Sequence, residues 1–497
     1  MNHPLGLSLV DGWLPATFQV LVVGVLLVVI GRRTGAFWAR RFPVCLAVGV
    51  VVAVGSLLAF DDSGMASEHA PALLWAWVGV TAAAAALAVL GWGAVRWWRR
   101  VLSVAAVPLC VLCVGLVVNE WVGYVPSVDE AVAQVSAAAV PHQVGAGVLP
   151  ELRNTVAPTD DGRVVEVTIP DTVSGFRHRT EYVYLPPAWF AGPTPPALPA
   201  LIMIGGEFNT PVDWLRIGGA QATVDAYAHA HGGVAPILVF VDAGGAFATD
   251  TECVDGPRGR SASHLVDDVR PYVVDRFGAS ADPRQWGVAG FSMGGTCALD
   301  LAVMHPELFD TFEDIAGDAG PEVGSKAETI ARLYGGDAAA WARFDPVTVL
   351  DGHARYADTA GWFENNSAAD ADVSSTPGSV VHGVPGGVTG SPARQARQLC
   401  ALAGVDGITC STQTRPGSHT WKFAAVAFTD ALPWLADRVL HPGAYQPPPP
   451  SVDRPAPPHA GRAHTAHARS VPVRAAALRA VPPAPAARHA GPVVRPT

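Results

Sequence analysis

Four long apolar runs crowd the first quarter of the chain, and they constrain its fold more than any other feature. They cover Leu14 to Ile30, Pro43 to Phe60, Pro71 to Val95 and Val101 to Val118. Each is close to the ~20 residues a helix needs to cross a bilayer, where a helix satisfies its own backbone hydrogen bonds. Buried core helices, or a cleaved signal peptide followed by soluble protein, are the competing readings. Four near-continuous runs with charged breaks argue against both.

The breaks set an orientation. Arg32, Arg33, Arg40 and Arg41 follow the first run, and Arg96, Arg99 and Arg100 follow the third. The second break holds Asp61, Asp62 and Glu68 without Lys or Arg, and Glu120, Asp129 and Glu130 follow the fourth run. Lys and Arg are held in the cytoplasm during insertion, so the first and third loops are expected inside. The N-terminus, the second loop and everything after Val118 are expected outside. Trp75, Trp77, Trp97, Trp98, Trp121 and Tyr124 lie near span ends, where amphipathic rings favour the interface. The sequence thus predicts a multi-pass protein of the cell membrane whose larger part is extracytoplasmic.

The rest divides by composition. Residues 1–125 form the membrane region and 126–155 read as a linker. Residues 156–441 have ordinary globular composition. From Pro442 to Thr497, proline and alanine dominate and Asp453 is the only acid. That stretch has no periodic apolar face to offset chain entropy and reads as a disordered, basic tail. The net charge is -10 and the only lysines are Lys326 and Lys422. No Lys/Arg stripe marks a nucleic-acid partner.

In the globular region, "GRVVEVTIP" and "RTEYVYLPP" alternate and read as an opening strand pair. "LPALIMIGG", "PILVFVDA", "WGVAGFS", "FEDIAG", "AGWFENN" and "GITCSTQT" are short apolar or β-branched runs. Helical spacing separates them, over Val212 to His231, Ala262 to Phe277, Gly294 to His305, Pro392 to Leu402 and Trp421 to Val439. Alternating strands and helices predict an α/β fold, a mostly parallel sheet covered on both faces, with its site at the strands' carboxyl ends.

One junction carries chemistry. In "WGVAGFSMGG", Ser292 stands between Gly290 and Gly294 where a strand turns into a helix. This is the nucleophile-elbow pattern: the turn is too tight for neighbouring side chains, and it lifts the serine hydroxyl above the sheet. The N–H of Met293 is expected in the oxyanion hole. A serine hydroxyl needs a base, and in this fold the partners follow in the order Ser, acid, His. His419, in the loop of "TRPGSHTWKF", is the candidate base. His305 precedes Pro306 at a helix end, and His353 and His382 come before or just around the acid. The acid should follow "AGWFENN", at Asp370 or alternatively Asp372; Glu364 lies within the strand. The second oxyanion donor is expected from "IGGEFN", at the N–H of Glu207 or Phe208, with Gly206 allowing close approach.

"GFSMGG", "MHPELFD", "WARFDP" and "GSHTWKF" together resemble the esterase D group of α/β-hydrolases, and within it the mycobacterial mycolyltransferases of the antigen 85 type. The resemblance spans roughly Val156 to Val439. It implies an α/β-hydrolase fold and a serine esterase or acyltransferase acting on an acyl ester or lipid without metal or organic cofactor. It implies Ser292 as nucleophile, His419 as base, an acid in the Asp370 to Asp372 loop, and substrate contacts at Gly206, Phe208 and Trp421. The mycolyltransferases carry an acid before the glycine of the oxyanion loop and an arginine shortly after it. Gly205 and Phe208 stand there in this chain, so trehalose is not the expected acceptor. Transfer to a cell-envelope glycan or lipid is the rival within enzymes, and a non-catalytic envelope-binding module the rival outside them.

Cys45, Cys110 and Cys113 lie in spans and read as packing. Cys253, Cys297, Cys400 and Cys410 form an even set in a region expected outside the cytoplasm, where disulfides persist. Cys253 follows the strand "PILVFVDA", whose end should lie near the helix bearing Cys297, and Cys400 and Cys410 are local neighbours. The expected pairs are Cys253–Cys297 and Cys400–Cys410.

Overall fold

The computed structural model describes residues 7–10, 12–31, 34–63, 70–92, 96–136, 138–246, 249–366, 390–444 and 447–453. The four apolar runs form helices α1 (Trp13–Ile30), α2 (Phe42–Ser63), α3 (Ala72–Leu90) and α4 (Trp97–Val122). All four are long and apolar enough to cross a membrane. At 1.5 Å per residue, α1 is ~27 Å long, close to the thickness of a hydrocarbon core. Val20, Leu21, Val51 and Val89 turn outward, 63% to 75% exposed, a surface that lipid would cover. Cys45, Cys110 and Cys113 are buried free thiols.

The sheet follows from strands too apolar to tolerate water on either face. Ten strands belong to it: β1 (Gln143–Val144), β2 (Arg163–Val167), β3 (Glu181–Leu185), β4 (Ala200–Ile204), β5 (Ile237–Val241), β8 (Trp286–Phe291), β9 (Thr311–Ile315), β10 (Ala360–Asn366), β11 (Thr409–Arg415) and β12 (Val452–Asp453). A separate hairpin pairs β6 (Asp255–Gly256) with β7 (Gly259–Arg260). The order is β1-β2-β3-β5-β4-β8-β9-β10-β11-β12. β3 is antiparallel to both β2 and β5, and the other neighbours run parallel. Every residue of β4, β5, β8, β9 and β10 is buried, as central strands covered by helices must be. Successive side chains feed two cores. Ile202, Val288 and Phe312 pack with Leu299 and Phe277 on one face; Met203 and Ala289 pack with Trp214, Trp421 and Phe428 on the other. This is the α/β-hydrolase arrangement.

Three local expectations change. The helix expected over Val212 to His231 breaks into Asp213–Arg216 and Ala220–Ala230. The break falls at Gly218, whose added Cβ would lie 2.9 Å from Trp214, and at Gly219, whose φ is 62°. The segment 126–155, expected as a linker, contributes β1 to the sheet and buries Val140 and Leu149 in the two cores. Beyond Pro442, Val452–Asp453 pairs with β11; the rest of the expected tail, from residue 454, lies outside the described residues.

Candidate active site

β8 ends at Phe291, and the helix Met293–Met304 begins two residues later. Ser292 joins them at φ 60°, ψ -125°, a conformation that L-residues adopt only where the surroundings enforce it. Its N–H donates to the Ile315 carbonyl at 2.9 Å, and its carbonyl accepts from Gly295 N–H at 2.7 Å. The flanking glycines have a steric cause. A Cβ on Gly290 would lie 1.9 Å from the Gly294 carbonyl oxygen, and one on Gly294 would lie 2.3 Å from that of Ile204. Ser292 therefore caps a helix N-terminus, where backbone N–H groups favour developing negative charge.

The loop after β4 closes over the serine. A Cβ on Gly206 would lie 2.9 Å from Ser292 Cβ, so backbone passes directly above the hydroxyl-bearing residue. Phe208 follows at φ 64° and is 37% exposed. Burial, then the charge of Asp250, pushes the Glu207 carboxyl up to about 8, against the opposing pull of Arg258.

His419 lies in the loop between β11 and the helix Trp421–Leu440. Its ring centroid is 4.9 Å from that of Phe291, the residue before Ser292. Burial pushes the imidazole down to about 4, which leaves it neutral and able to accept a proton at neutral pH. Thr420 caps the helix by accepting from Phe423 N–H at 3.4 Å. Trp421, expected against substrate, is 1% exposed and packs on Phe291 at 5.2 Å and Trp214 at 5.1 Å. It forms a floor beneath the His419 loop instead of a wall of the mouth, because the first turn of the helix points it into the core. Asp370 and Asp372 lie outside the described residues. Glu364 is fully buried, accepts from Trp362 Nε1 at 3.1 Å and pairs with Arg415.

Two disulfides join Cys253 to Cys297 and Cys400 to Cys410, the expected pairs. The first ties the loop after β5 to the helix that starts at Ser292. Cys253 and the preceding Glu252 sit at φ 52° and 49°, a backbone held locally by that crosslink.

Polar groups that the sequence did not single out support the site from below. The Arg179 guanidinium donates twice to Asp242, at 2.6 and 3.0 Å, and once to the Asn209 carbonyl at 2.7 Å. It thus pins the loop that carries Gly206. Glu181 accepts from Asp242 N–H at 3.0 Å and faces His264 Nε2 at 3.2 Å. His178, Glu181 and His264 place ligand atoms within 4.8 Å of one another. His178, however, faces backbone carbonyls with both ring nitrogens, Arg179 at 2.8 Å and Ile169 at 2.7 Å. The trio is a buried hydrogen-bond network beneath the loop. Arg179, Glu181, Asp242 and His264 come from separate segments of the chain, and no spacing in the sequence would reveal the network.

Residues 176–435, slightly more than half of the chain, match the model of a family described as "Putative esterase". A curated but uncharacterized protein of Corynebacterium glutamicum is 30% identical over 292 residues, 57% of this chain. The match spans 65% of that relative's length. Among solved structures, an S-formylglutathione hydrolase from Agrobacterium tumefaciens is similar at a TM-score of 0.43 and 19% identity, over 56% of this chain and 95% of that one. MPT51 of Mycobacterium tuberculosis is similar at 0.38 and 17%, over 55% and 97%.

Proposed function

Because the chain belongs to the esterase family, we propose that it is a membrane-anchored serine esterase that cleaves acyl esters through Ser292. The observation that carries this reading is the backbone at Ser292, φ 60° and ψ -125°, fenced by two glycines under the Gly206 loop. Ser292 Oγ attacks the ester carbonyl while His419 takes its proton. The tetrahedral oxyanion is held by the Met293 N–H and by the N–H of Glu207 or Phe208. The C–O bond to the alcohol then breaks, and His419 returns the proton to the departing oxygen. Water repeats the sequence on the acyl-serine and releases the acid. Asp370 or Asp372 is the proposed acid that orients His419. No step calls on a cofactor.

The catalytic region is proposed to lie outside the cytoplasm, with arginine-rich breaks inside, which agrees with two disulfides in that region. A reporter active only outside should work when fused after Pro442 and fail at Gly35; the reverse pattern would refute the orientation. Trehalose is a poor acceptor in this reading. Gly205 offers no side chain and Phe208 an apolar one, and losing a charged partner for a sugar hydroxyl costs about a hundredfold in discrimination. Ser292→Ala should abolish fluorophosphonate labelling and ester hydrolysis while the domain stays folded. Unchanged turnover in that variant would overturn the reading.

A further inference from the structure

The end of α4 packs against the loop that carries His419 and is hydrogen-bonded, through Asp213, to the loop after β4. Gly123, the first residue after α4, sits at φ 71°, and Thr420 Cβ lies 3.1 Å from where its Cβ would be. Thr420 directly follows His419. The next residue, Tyr124, donates its phenol to both oxygens of Asp213, at 3.1 and 3.2 Å. Asp213 in turn accepts from Thr210 N–H at 2.7 Å, at the end of the loop that begins at Gly205. A second strap fastens the joint. Leu9 N–H donates to the Pro126 carbonyl and Val128 N–H to the Leu7 carbonyl, both at 3.0 Å, and Asn119 reaches Val125 from within α4. Trp97–Val122 is ~39 Å long, more than the ~30 Å of a hydrocarbon core, so a span that ends against the His419 loop would hold that loop near the headgroup layer.

Beside this joint is a cavity of about 450 Å³, and Thr210 is part of its wall. Tyr124 and Gln134 face it from the segment after α4; Glu166, Tyr182, Asp213 and Arg216 face it from the domain. Its charged lining is two carboxylates against one guanidinium, and Arg216 is itself within 3.6 Å of Glu130. An anionic headgroup would find the cavity's one guanidinium already facing a carboxylate. An uncharged, hydroxylated headgroup would find donors, acceptors and two phenol rings.

We propose that the substrate is a bilayer-resident acyl lipid with an uncharged, hydroxyl-bearing headgroup, taken by the elbow while its chains remain in the membrane. The inference rests on the esterase reading and narrows its substrate. Gly123 and Tyr124 register the site against the lipid surface, and the cavity beside Thr210 receives the polar end of the molecule.

The test uses full-length protein in nanodiscs of ether-linked phosphatidylcholine, whose chains carry no ester. Dioleoylglycerol embedded in the disc, dioleoylphosphatidylglycerol embedded likewise, and water-soluble p-nitrophenyl butyrate are the three substrates. Dioleoylglycerol should be cleaved with the highest kcat/KM, about tenfold or more above the anionic lipid. Tyr124→Phe, which removes one hydrogen bond to a charged group, should lower the ratio of dioleoylglycerol to butyrate turnover by about tenfold. Equal loss on both substrates would mean that Tyr124 only supports the fold, and would overturn the coupling. Butyrate cleavage with embedded lipids untouched would overturn this inference and leave the esterase reading standing. Preference for the anionic lipid would overturn the headgroup assignment. Absence of both butyrate cleavage and fluorophosphonate labelling would bring down the esterase reading and this inference together.

Discussion

Glycine serves the spans and the catalytic domain in opposite ways. In the membrane region, Gly49 and Gly79 face each other across α2 and α3; a Cβ on Gly49 would lie 2.6 Å from the Gly79 carbonyl oxygen. Those glycines let two helices approach, because lipid supplies no hydrophobic force to press them together. In the domain, Gly290 and Gly294 let one chain turn back on itself beneath Ser292. Apolar surface differs in the same sense. Val51 and Val89 are turned outward on the spans, whereas β4, β5 and β8 expose nothing. The same valine-rich composition has been sorted by two solvents. In one region stability comes from close helix contact, and in the other from apolar area removed from water.

Breaking the turn should have the larger effect. Gly290→Ala puts a methyl 1.9 Å from backbone oxygen that belongs to the elbow itself, with no flexible side chain to yield. We expect a loss of about 3 kcal/mol or more in domain stability, with turnover falling together with it, as read by thermal melts and an ester assay. A melting temperature and turnover equal to wild type would show that the elbow is not strained as described. Gly49→Leu should instead separate α2 from α3, at a cost of about 1–2 kcal/mol in the membrane region. Unfolding in detergent should detect that loss, while hydrolysis of a water-soluble ester stays within about twofold, a difference that is small on the energy scale. A collapse of soluble-ester turnover in that variant would mean that the two regions are not separable in this way.

Two pH effects sharpen the contrast, because both arise in the domain. Burial lowers the pKa of His419 to about 4, so it remains an unprotonated base well below neutrality. The kcat/KM of a soluble ester should hold as pH falls from 7 and decline only on approach to about 4, as the base becomes protonated. A midpoint near 6.5 would show that the proposed acid, and not burial, sets the titration of His419. His264 shows the reverse. Burial opposes its charge, but Glu181 and Asp268 outweigh burial and raise its pKa. A raised histidine contributes stability that is complete below its unfolded pKa and lost as pH rises through the folded value. The domain's melting temperature should therefore fall as pH rises above about 6.5, and His264→Gln should remove that part of the slope. A slope unaltered in the variant would assign the pH dependence to other groups.

What was legible in the sequence follows physical range. Four uninterrupted apolar runs specify their helices without help from the rest of the chain, and the α/β order is written in short apolar strands between amphipathic segments. The elbow is equally local: Gly290, Ser292 and Gly294 carry their own steric reason. The disulfide partners could be matched because strand order places the loop after β5 beside the elbow helix. The bonds from Arg179 to Asn209 and from Tyr124 to Asp213 span 30 and 89 positions. Such single polar pairs have no period, and only the folded chain brings them together. β1 and β12 have two residues each, too short for any alternation to show. Trp421 was expected to start a helix and to touch substrate; that it packs on Phe291 and Trp214 depends on how the helix Trp421–Leu440 docks, which the sequence does not reveal.

The account stands on the claim that Ser292 carries the acyl group, and trapping that intermediate tests it most directly. Full-length protein mixed with a single equivalent of p-nitrophenyl butyrate and quenched in acid within the first turnover can be digested and read by mass spectrometry. The butyryl mass should appear on the peptide that contains Ser292 and be absent from Ser292→Ala. Hydrolysis with butyryl found on another residue, or continued turnover in Ser292→Ala, would contradict the account.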